Sequence, residues 1–531
     1  MHAVHTTGEV VQTVHGPVRG LRGRGTRLWQ GIPYAAPPVG ELRFRDPRPP
    51  VAWVEVLDAV AFGACEPQST NAAIPLGPDV RMDEDCLTLN VWAPEDASSP
   101  KPVMVWIHGG AYFRGASSQP VFDATSLVEH GDVVVVTFNY RLGAFGFLDL
   151  SSFSTDGQVF DANVALKDMI AVLEWVQTNI AAFGGDPGRV TLFGESAGGG
   201  AVTTLMTVPA AEGLFHRAIA ESSPATSVYG PARAADVAAQ FIALAGLEPG
   251  DAEGVRALST AGLLSASDAL FAQVPQRSPG TIAFAPVVDG TLVTDYPVRV
   301  FREGHAHRVP LIIGTNKDES SLFRLMKSPL MPIEPATIRA MFAEVAAEHP
   351  ELELPDEAQL GSAYTGLAPV QTNLGITRDF GFRMPTVWIA EAHSRHAPCW
   401  VYRFDYAPPM LKALRIGATH ATELPYVWGN LSHGARDITY KLGGRRTAER
   451  VSARMQARWL AFAQGSDPVV SGAVAGTIAG SAVESVAHAA DWPRYALEDR
   501  ASLVIDTEES VAFDLDGPLR EAWGDHVLAF V

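Results

Sequence analysis

The residues most suited to chemistry form the pentapeptide GESAG at residues 194–198, which has the pattern G-x-S-x-G. A short apolar run, Val190–Phe193, precedes it, and small residues followed by a second apolar run come after it. This order indicates a strand, a tight turn and a helix, with the serine hydroxyl held out at the top of a sheet. Glycines suit a turn where strand and helix backbones pass close together. The sequence therefore predicts a nucleophile at Ser196 and a helix beginning at Ala197 whose amides face a developing oxyanion.

A serine nucleophile needs a base to take its proton, an acid to orient that base, and donors for the oxyanion. In α/β-hydrolases the nucleophile, the acid and the histidine follow one another along the chain in that order. Asp318 and Glu319 lie just after the apolar run Val309–Gly314, and His420 follows the run Trp400–Phe404 by a loop. The residues alone do not choose between the two carboxylates, and His420 is one of 15 histidines.

Continuous apolar runs around these residues have the pattern of a parallel sheet. Buried parallel strands are predicted at Pro102–Ile107, Val133–Thr137, Val190–Phe193, Val309–Gly314 and Trp400–Phe404. Residues 163–180 carry apolar side chains at helical spacing, and strands and helices that alternate from 100 to 220 indicate a doubly wound sheet. Residues 8–30 alternate apolar and polar side chains, which predicts a β-hairpin or meander ahead of that sheet.

Helices are predicted to dominate the second half of the chain between its strands. Residues 232–272 are rich in alanine with a helical pattern, and residues 448–464 form one long helix. Residues 320–395 are also mainly helical, carry few chemical signals and are suited to a cap over the site. Residues 469–490 contain Gly, Ala, Ser and Val without a clear period, so a flexible insertion is expected there.

Composition narrows the class of protein. Of the 531 residues, 47% are hydrophobic and 19% charged, which is ordinary for a soluble globular protein with a large core. A net charge of −19 argues against nucleic acid as a partner and does not favour anionic membranes. Without a secretory signal or a run of about 18 apolar residues, a cytoplasmic protein with no transmembrane helix is expected. Three cysteines are too few for a disulfide scaffold, and their surroundings do not suggest zinc.

Eight stretches, spread along nearly the whole chain, point together to one known family. They are GIPYAAPPVGELRF, EDCLTLNVWAP, VMVWIHGGAYFRG, FNYRLGAFGFL, FGGDPGRVTLFGESAGG, IIGTNKDES, THATELPYV and WLAFAQGSDP. On these stretches the sequence resembles the type-B carboxylesterase family, which includes cholinesterases and bacterial p-nitrobenzyl esterases. The resemblance implies an α/β-hydrolase fold with a large, mostly parallel central sheet, helices on both faces, an N-terminal β-hairpin and helical cap insertions. It implies one domain over residues 1–531, with the cap insertions at about 225–280 and 320–395.

The resemblance implies a catalytic triad of Ser196, Glu319 and His420, because the family's acid is the second carboxylate of the Asp-Glu pair. The Gly-Gly-Ala set that follows the strand at 102–107 resembles the family's oxyanion hole. The implied oxyanion donors are the backbone amides of Gly110, Ala111 and Ala197.

Supporting residues are implied around these groups. Gly109 allows the turn into the oxyanion loop, and Glu195 is a buried neighbour of the serine rather than the acid. Ser222 or Ser223 resembles the family's second serine behind the triad, which binds the glutamate or an internal water; capping of a loop is the alternative. Glu423 is expected to be a structural partner rather than a second base.

Covalent and ionic links are also implied by the resemblance. Cys65 and Cys86 match the family's first disulfide, although a cytoplasmic setting would leave both thiols reduced, and the two outcomes stay open. The implied ion pairs are Arg43 with Glu84 and Arg141 with Asp186.

The implied activity is that of a serine carboxylesterase that acts through an acyl-enzyme without a metal or cofactor. The expected partner is a small-molecule ester, small to medium and apolar or aromatic, with no nucleic acid or membrane, and the protein is expected to be a monomer or homodimer. Hydrolysis of a carbamate, amide, thioester or aromatic polyester by the same triad is the first alternative. A non-catalytic, neuroligin-like binding protein is the second, but such relatives lack triad members that are all present here. Candidates for lining the substrate pockets are Tyr112 and Phe113, with core packing as the alternative for Phe113.

Overall fold

A computed structural model describes residues 6–23, 25–70, 74–77, 80–96, 98–432, 437–469, 477–478, 481–482 and 490–530. Within these residues the strands are Thr6–Gln12 (β1), Pro17–Arg22 (β2), Thr26–Pro33 (β3), Leu57–Asp58 (β4), Thr88–Pro94 (β5), Lys101–Ile107 (β6), Val134–Phe138 (β7), Gly185–Glu195 (β8), Arg217–Glu221 (β9), Leu311–Asn316 (β10), Cys399–Phe404 (β11), Thr477–Ile478 (β12), Ser481–Ala482 (β13), Ser502–Ile505 (β14) and Ser510–Ala512 (β15).

The α-helices of the same residues are Thr125–Gly131 (α1), Gly143–Gly146 (α2), Val164–Asn179 (α3), Ala197–Leu205 (α4), Pro231–Leu244 (α5), Ala252–Ala257 (α6), Thr260–Arg277 (α7), Pro297–Arg302 (α8), Ser320–Leu325 (α9), Pro335–Glu348 (α10), Glu357–Ala363 (α11), Pro369–Arg378 (α12), Met384–His393 (α13), Pro409–Ala413 (α14), Leu424–Trp428 (α15), Arg445–Ala463 (α16) and Gly517–Trp523 (α17). A single turn of π-helix, Asp379–Arg383, joins α12 to α13.

One sheet of 13 strands, counted over the described residues, forms the centre of the molecule. Its order is β1-β2-β3-β5-β7-β6-β8-β9-β10-β11-β14-β15, with β4 paired to β2. The strands from β7 through β14 in this order pair in parallel, whereas β1, β2, β3, β5 and β15 pair with their neighbours in this order in antiparallel fashion. The short strand β4 pairs with β2 in parallel. The predicted mostly parallel sheet and its N-terminal hairpin or meander are therefore confirmed.

The central strands read as continuous apolar runs because both faces of the sheet are covered. Along β6, Val103, Val105 and Ile107 belong to one hydrophobic cluster, and Met104 and Trp106 belong to a second cluster. The first cluster includes side chains of α3 and α4, and the second includes side chains of α1 and α16. Helices therefore lie on both faces, as the sequence predicts.

The two predicted cap regions contain helices. Residues 225–280 hold α5, α6 and α7, and residues 320–395 hold α9 to α13. Their role as a cap stays a prediction at this point. Of the segment 469–490, most residues lie outside the described ones; β12 and β13 pair with each other in antiparallel fashion. No helix in the described ranges is both long and apolar enough to cross a membrane.

Of the two implied ion pairs, one is present and one is wrong. Arg43 Nη2 lies 2.5 Å from Glu84 Oε1. Arg141 instead pairs with Asp168 of α3, at 2.6 Å from Nη2 to Oδ1, because that carboxylate is fully buried beside the equally buried guanidinium. Asp186 lies near the start of β8 on the partly exposed side and pairs with Arg189 at 2.8 Å.

The cysteines of the chain are free and buried, so the implied Cys65–Cys86 disulfide is absent from the structure. Each of the two thiols has a polar neighbour of its own. Cys86 Sγ donates to the buried carboxylate of Glu66, at 3.3 Å to Oε2, and Cys65 Sγ accepts from the side-chain amide of Gln68 at 3.7 Å. The structure corresponds to the reduced alternative.

Candidate active site

Ser196 occupies a strained turn between β8 and α4. Its backbone has φ 57° and ψ −124°, a conformation that costs free energy for a residue other than glycine. The turn is held by β9, because the Ser196 amide donates to the Glu221 carbonyl at 2.9 Å. A Cβ atom at Gly198 would overlap the carbonyl of Ile107, the last residue of β6, which explains a glycine there. The G-x-S-x-G pattern thus allows close backbone packing around a turn that holds the Ser196 hydroxyl beyond the carboxyl end of β8.

Three segments distant in sequence meet at this hydroxyl. His420 Nε2 lies 2.8 Å from Ser196 Oγ, and His420 Nδ1 lies 2.7 Å from Glu319 Oε2. Glu319 immediately precedes α9, just after β10, which lies two strands from β8 in the sheet. Because β8 and β10 are parallel to the strand between them, their carboxyl ends lie at one edge. The structure brings the predicted serine, histidine and glutamate into one hydrogen-bonded chain.

Glu319 is fully buried and held on its far oxygen by two donors. Ser222 Oγ donates to Glu319 Oε1 at 2.6 Å, and the Asn316 amide donates to the same oxygen at 2.6 Å. Ser223, the other predicted serine, lies 3.0 Å from Thr203 Oγ1 and takes no part in this arrangement. Ser222 is therefore the one of the two serines that binds the glutamate.

Asp318 has a different place from its neighbour. Its Oδ2 accepts from the Ala418 amide at 3.1 Å, and its own amide donates to the Ala418 carbonyl at 2.9 Å. These two bonds fix the loop that carries His420 two residues later. The two carboxylates of the Asp-Glu pair thus hold the histidine in different ways, Glu319 through the ring and Asp318 through the backbone.

The loop after β6 lies against the serine. A Cβ atom on Gly109 would lie 2.7 Å from the Glu195 carbonyl oxygen and 3.1 Å from Ser196 Cβ, so only glycine allows this approach. Gly110 and Ala111 have positive φ, 124° and 56°. Within the described ranges, no acceptor takes a hydrogen bond from the amides of Gly110, Ala111 or Ala197. These three amides are available to a negatively charged oxygen formed beside Ser196.

Comparisons with known proteins identify the family of this chain. The model of the carboxylesterase family matches residues 7–521. The chain belongs to the carboxylesterase family. The para-nitrobenzyl esterase of Bacillus subtilis (strain 168) is 36% identical over 521 residues, which cover 97% of this chain and 98% of that protein. The acylcarnitine hydrolase of Mus musculus is 36% identical over 473 residues, 84% of this chain and 80% of its own.

A solved structure of a thermophilic para-nitrobenzyl esterase has the same fold. It matches with a TM-score of 0.82 and 34% identity, covering 98% of this chain and 100% of the other. As a member of the family, the protein is a carboxylic ester hydrolase, and the acyl-enzyme mechanism is general for that family.

The carboxylesterase has a cavity of about 830 Å³ that Ser196 and His420 line. Most of the wall is apolar, including Phe271, Ile282, Phe323, Met331, Phe380 and Phe382. Of the two sequence candidates for the pockets, Tyr112 lines the cavity, whereas Phe113 is buried and packs with its ring centroid 4.3 Å from that of Phe271.

Two aromatic rings that sequence reasoning missed contact the catalytic histidine candidate. The ring centroids of Phe382 and Phe323 lie 4.8 Å and 5.2 Å from that of His420. Phe323 follows Glu319 by four residues at the spacing of one helical turn, a signal that was available. Phe382 lies in the π-helical turn, and nothing in the surrounding sequence marks it.

Glu195 is a second carboxylate beside the imidazole. Its Oε1 lies 3.3 Å from His420 Nε2. Burial raises the pKa of Glu195 to about 7, although His420 acts to lower it. Burial lowers the pKa of His420, but the nearby charges of Glu195 and Glu319 outweigh burial and leave that pKa above its ordinary value. The imidazole therefore becomes a neutral base only at a higher pH than an isolated histidine would.

Two further carboxyl groups are buried behind the site. Glu221 lies directly opposite Glu195 in the register of β8 and β9, and Trp459 of α16 donates to its Oε1 at 2.7 Å. Burial raises the pKa of Glu221 to about 8. Glu423 accepts from the side-chain amide of Asn316, and burial raises its pKa well above the ordinary value. Both groups have structural partners, which agrees with the sequence interpretation of Glu423.

Proposed function

We propose that this carboxylesterase uses Ser196 as nucleophile, His420 as general base and acid, and Glu319 as the group that orients the imidazole. The observation that carries the proposal is the chain of two hydrogen bonds through His420, 2.8 Å to Ser196 Oγ and 2.7 Å to Glu319 Oε2. A hydroxyl bonded to a base that is itself bonded to a carboxylate is the arrangement that activates a serine.

In the proposed reaction the serine oxygen attacks the ester carbonyl while His420 takes its proton. The carbonyl oxygen becomes an oxyanion and accepts hydrogen bonds from the amides of Gly110, Ala111 and Ala197, each worth roughly 3 kcal/mol in the transition state. The imidazolium then gives its proton to the departing alcohol, leaving the acyl group on Ser196. Water, activated by the same imidazole, hydrolyses the acyl-enzyme and restores the serine.

Substrates are proposed to be small to medium, apolar or aromatic carboxylic esters. The size and apolar wall of the cavity support this class, since such walls bind by excluding water from apolar groups. We further propose a single domain in which residues 225–280 and 320–395 form a cap. This is supported by Phe271 from the first region and Phe380 from the second, which line the same cavity. The monomeric or dimeric state, the cytoplasmic location and the absence of nucleic-acid partners stay predictions.

The decisive experiment is the substitution Ser196→Ala, assayed with 4-nitrophenyl butanoate. Loss of the nucleophile should lower kcat by at least ~10⁴-fold, because the remaining oxyanion donors give only residual catalysis. A fluorophosphonate probe should label the wild type at Ser196 and leave the variant unlabelled. Circular dichroism and the thermal unfolding midpoint serve as the folding controls. Turnover by a folded Ser196→Ala protein at the wild-type rate would contradict the proposed nucleophile.

A further inference from the structure

Arg114 places a positive charge in the wall of the active-site cavity. The described charged side chains that line this cavity are those of Arg114, Glu195, Lys327 and His420. Lys327 is exposed, whereas the Arg114 side chain is only 18% exposed. The Arg114 amide donates to the Gly110 carbonyl at 2.9 Å, so the cation belongs to the same tight loop as the proposed oxyanion donors.

The guanidinium of Arg114 is held by ring faces and not by hydrogen bonds. Its Cζ atom lies 4.9 Å from the ring centroid of Phe113 and 5.4 Å from that of Phe271. The guanidinium forms a long ion pair with Asp268 of α7, with Oδ1 at 3.7 Å from Nη2, whereas the other oxygen of Asp268 accepts a hydrogen bond from the Ser69 hydroxyl. Among the residues that the structure describes, none accepts a hydrogen bond from this guanidinium, and its Nε atom is buried without a partner.

Buried N–H donors without a hydrogen-bond acceptor are costly to keep in a mostly apolar wall, and the ion pair that Nη2 makes with Asp268 leaves Nε without one. Burial acts to lower the pKa of Arg114, yet a guanidinium stays charged throughout the physiological range. A structural role, clamping the loop against α7 through Asp268 and the ring of Phe271, leaves the buried Nε without an acceptor. The unused donors instead call for an acceptor that arrives with the substrate.

We infer that Arg114 binds a carboxylate of the substrate, so that this enzyme favours esters that carry an acidic group. A planar guanidinium stacked on two rings is fixed in orientation, and the fork of its N–H donors matches the two oxygens of a carboxylate. The inference rests on the proposed function, because it requires an ester held against Ser196. The carboxylate is carried either on the acyl part or on the alcohol part, and the two sources are separated by the choice of esters.

The test uses two pairs of esters, each pair differing by a carboxylate against the isosteric carboxamide. For the acyl part the pair is the mono-4-nitrophenyl ester of adipic acid and that of adipamic acid. For the alcohol part the pair is 4-carboxyphenyl butanoate and 4-carbamoylphenyl butanoate. For each pair the measured quantity is the ratio of kcat/KM for the carboxylate to kcat/KM for the carboxamide. Taking the ratio cancels effects of a substitution on folding or on the catalytic step itself.

The variant is Arg114→Met, which keeps much of the contact with the rings and removes the charge. For the ester pair whose carboxylate Arg114 binds, we expect the carboxylate-to-carboxamide ratio of kcat/KM to fall at least about 10-fold, as for a lost hydrogen bond to a charged group. Arg114→Lys, which restores the charge without the planar fork, should give an intermediate ratio. Lys327→Met is the matched control, since it removes the exposed cation of the same cavity, and its ratio should stay near that of the wild type.

The outcomes separate the two proposals. Unchanged ratios for Arg114→Met in both arms would overturn the role of Arg114 while leaving the esterase function intact. An equal fall for Lys327→Met would also overturn it, because the preference would then come from the general field at the cavity mouth. Failure of the wild type to hydrolyse either carboxamide ester or 4-nitrophenyl butanoate would count against the proposed function, and the inference would fall with it.

Discussion

Glu319 and Asp318 are neighbouring carboxylates that differ in burial and in hydrogen-bond partners, and therefore in role. Both are carboxylates at the end of β10, yet only Glu319 is fully buried, with its two oxygens divided between His420 on one side and Ser222 and Asn316 on the other. A carboxylate held in this way has little freedom to rotate, so the imidazole it binds is also fixed in tautomer and direction. Asp318 contributes through the backbone of the loop.

The contact between Ser222 and Glu319 predicts a catalytic effect that its neighbour should not share. Ser222→Ala removes a hydrogen bond to a buried anion and should lower kcat for 4-nitrophenyl butanoate about 10-fold, with little change in KM. Ser223→Ala is the matched control, because Ser223 is equally buried but bonds to Thr203. Its kcat should stay within about twofold of the wild type. Equal losses in the two variants would indicate a general packing defect instead of a specific role for Ser222.

The charge of Glu195 predicts a shift in the pH dependence of the reaction. His420 must be neutral to accept the serine proton, so activity is lost as pH falls through its pKa. The Glu195 carboxylate stabilises the imidazolium and helps to hold that pKa above its ordinary value. Glu195→Gln removes this charge, so the pKa of His420 should fall and the acid limb of kcat/KM should move to lower pH.

The control for this shift is Glu221→Gln. Glu221 is also buried and lies opposite Glu195, but it bonds to Trp459 and not to the imidazole. Its substitution should move the acid limb much less than Glu195→Gln does. An acid limb that stays in place in Glu195→Gln, or moves to higher pH, would show that Glu195 does not stabilise the charged imidazole.

At the scale of elements, the sequence predicts the strands better than it predicts the site. Strands β6, β7, β8, β10 and β11 fall within a few residues of the predicted runs, because strands buried on both faces must be continuously apolar. The order of nucleophile, acid and histidine along the chain was taken from the α/β-hydrolase pattern, and parallel strands whose carboxyl ends share one sheet edge bring the three residues together. The choice of Glu319 over Asp318 came from the resemblance, since local sequence is alike for both residues.

Three features of the structure could not be predicted from the sequence, each for a physical reason. Phe382 contacts His420 from a π-helical turn, and such a turn has no periodic signature that a single sequence displays. The predicted pairing of Arg141 with Asp186 was wrong. The packing of α3 against the sheet decides which aspartate is buried next to Arg141, and that aspartate is Asp168. The stacking of the Arg114 guanidinium is likewise visible only once Phe113 and Phe271 are placed around it.

A buried ion pair joins helix α16 to Glu509, the residue before β15, and its contribution to stability can be tested. The side chains of Arg458 and Glu509 are both fully buried, with Nη2 at 2.6 Å from Oε2, and Arg458 also donates to two backbone carbonyls. Arg458→Met should lower the free energy of unfolding by about 3 kcal/mol, because it leaves Glu509 buried with only Arg454 nearby. Urea denaturation followed by far-ultraviolet circular dichroism measures this change.

The matched control on the same helix is Arg445→Met. Arg445 pairs with Glu449 one turn away, and its side chain is 40% exposed. A solvent-screened pair of this kind should change the free energy of unfolding by no more than about 0.5 kcal/mol. A loss for Arg458→Met as small as this would mean that the Arg458–Glu509 pair does not anchor α16.

For the whole molecule, a net charge of −19 coexists with deeply buried arginines that tie distant segments together. Arg141, which follows β7, binds Asp168 of α3, and Arg383 of the π-helical turn binds Asp516, which immediately precedes α17. An arginine buried with a carboxylate carries no net charge as a pair, so the excess negative charge is left to the surface. In the wall of the cavity, Arg114 pairs with its carboxylate partner, Asp268, only at the longer distance of 3.7 Å.

The redox state of the cysteines is also a property of the whole fold. Burial raises the pKa of Cys65 to about 12 and that of Cys86 well above its ordinary value, and Cys399 is buried as well. Because the thiolate is the reactive form, the native protein should react very slowly with 5,5′-dithiobis(2-nitrobenzoic acid) at pH 8. In guanidinium chloride all three thiols of the chain should react. A titre of one thiol per denatured chain, together with a melting temperature lowered by dithiothreitol, would show that Cys65 and Cys86 are joined.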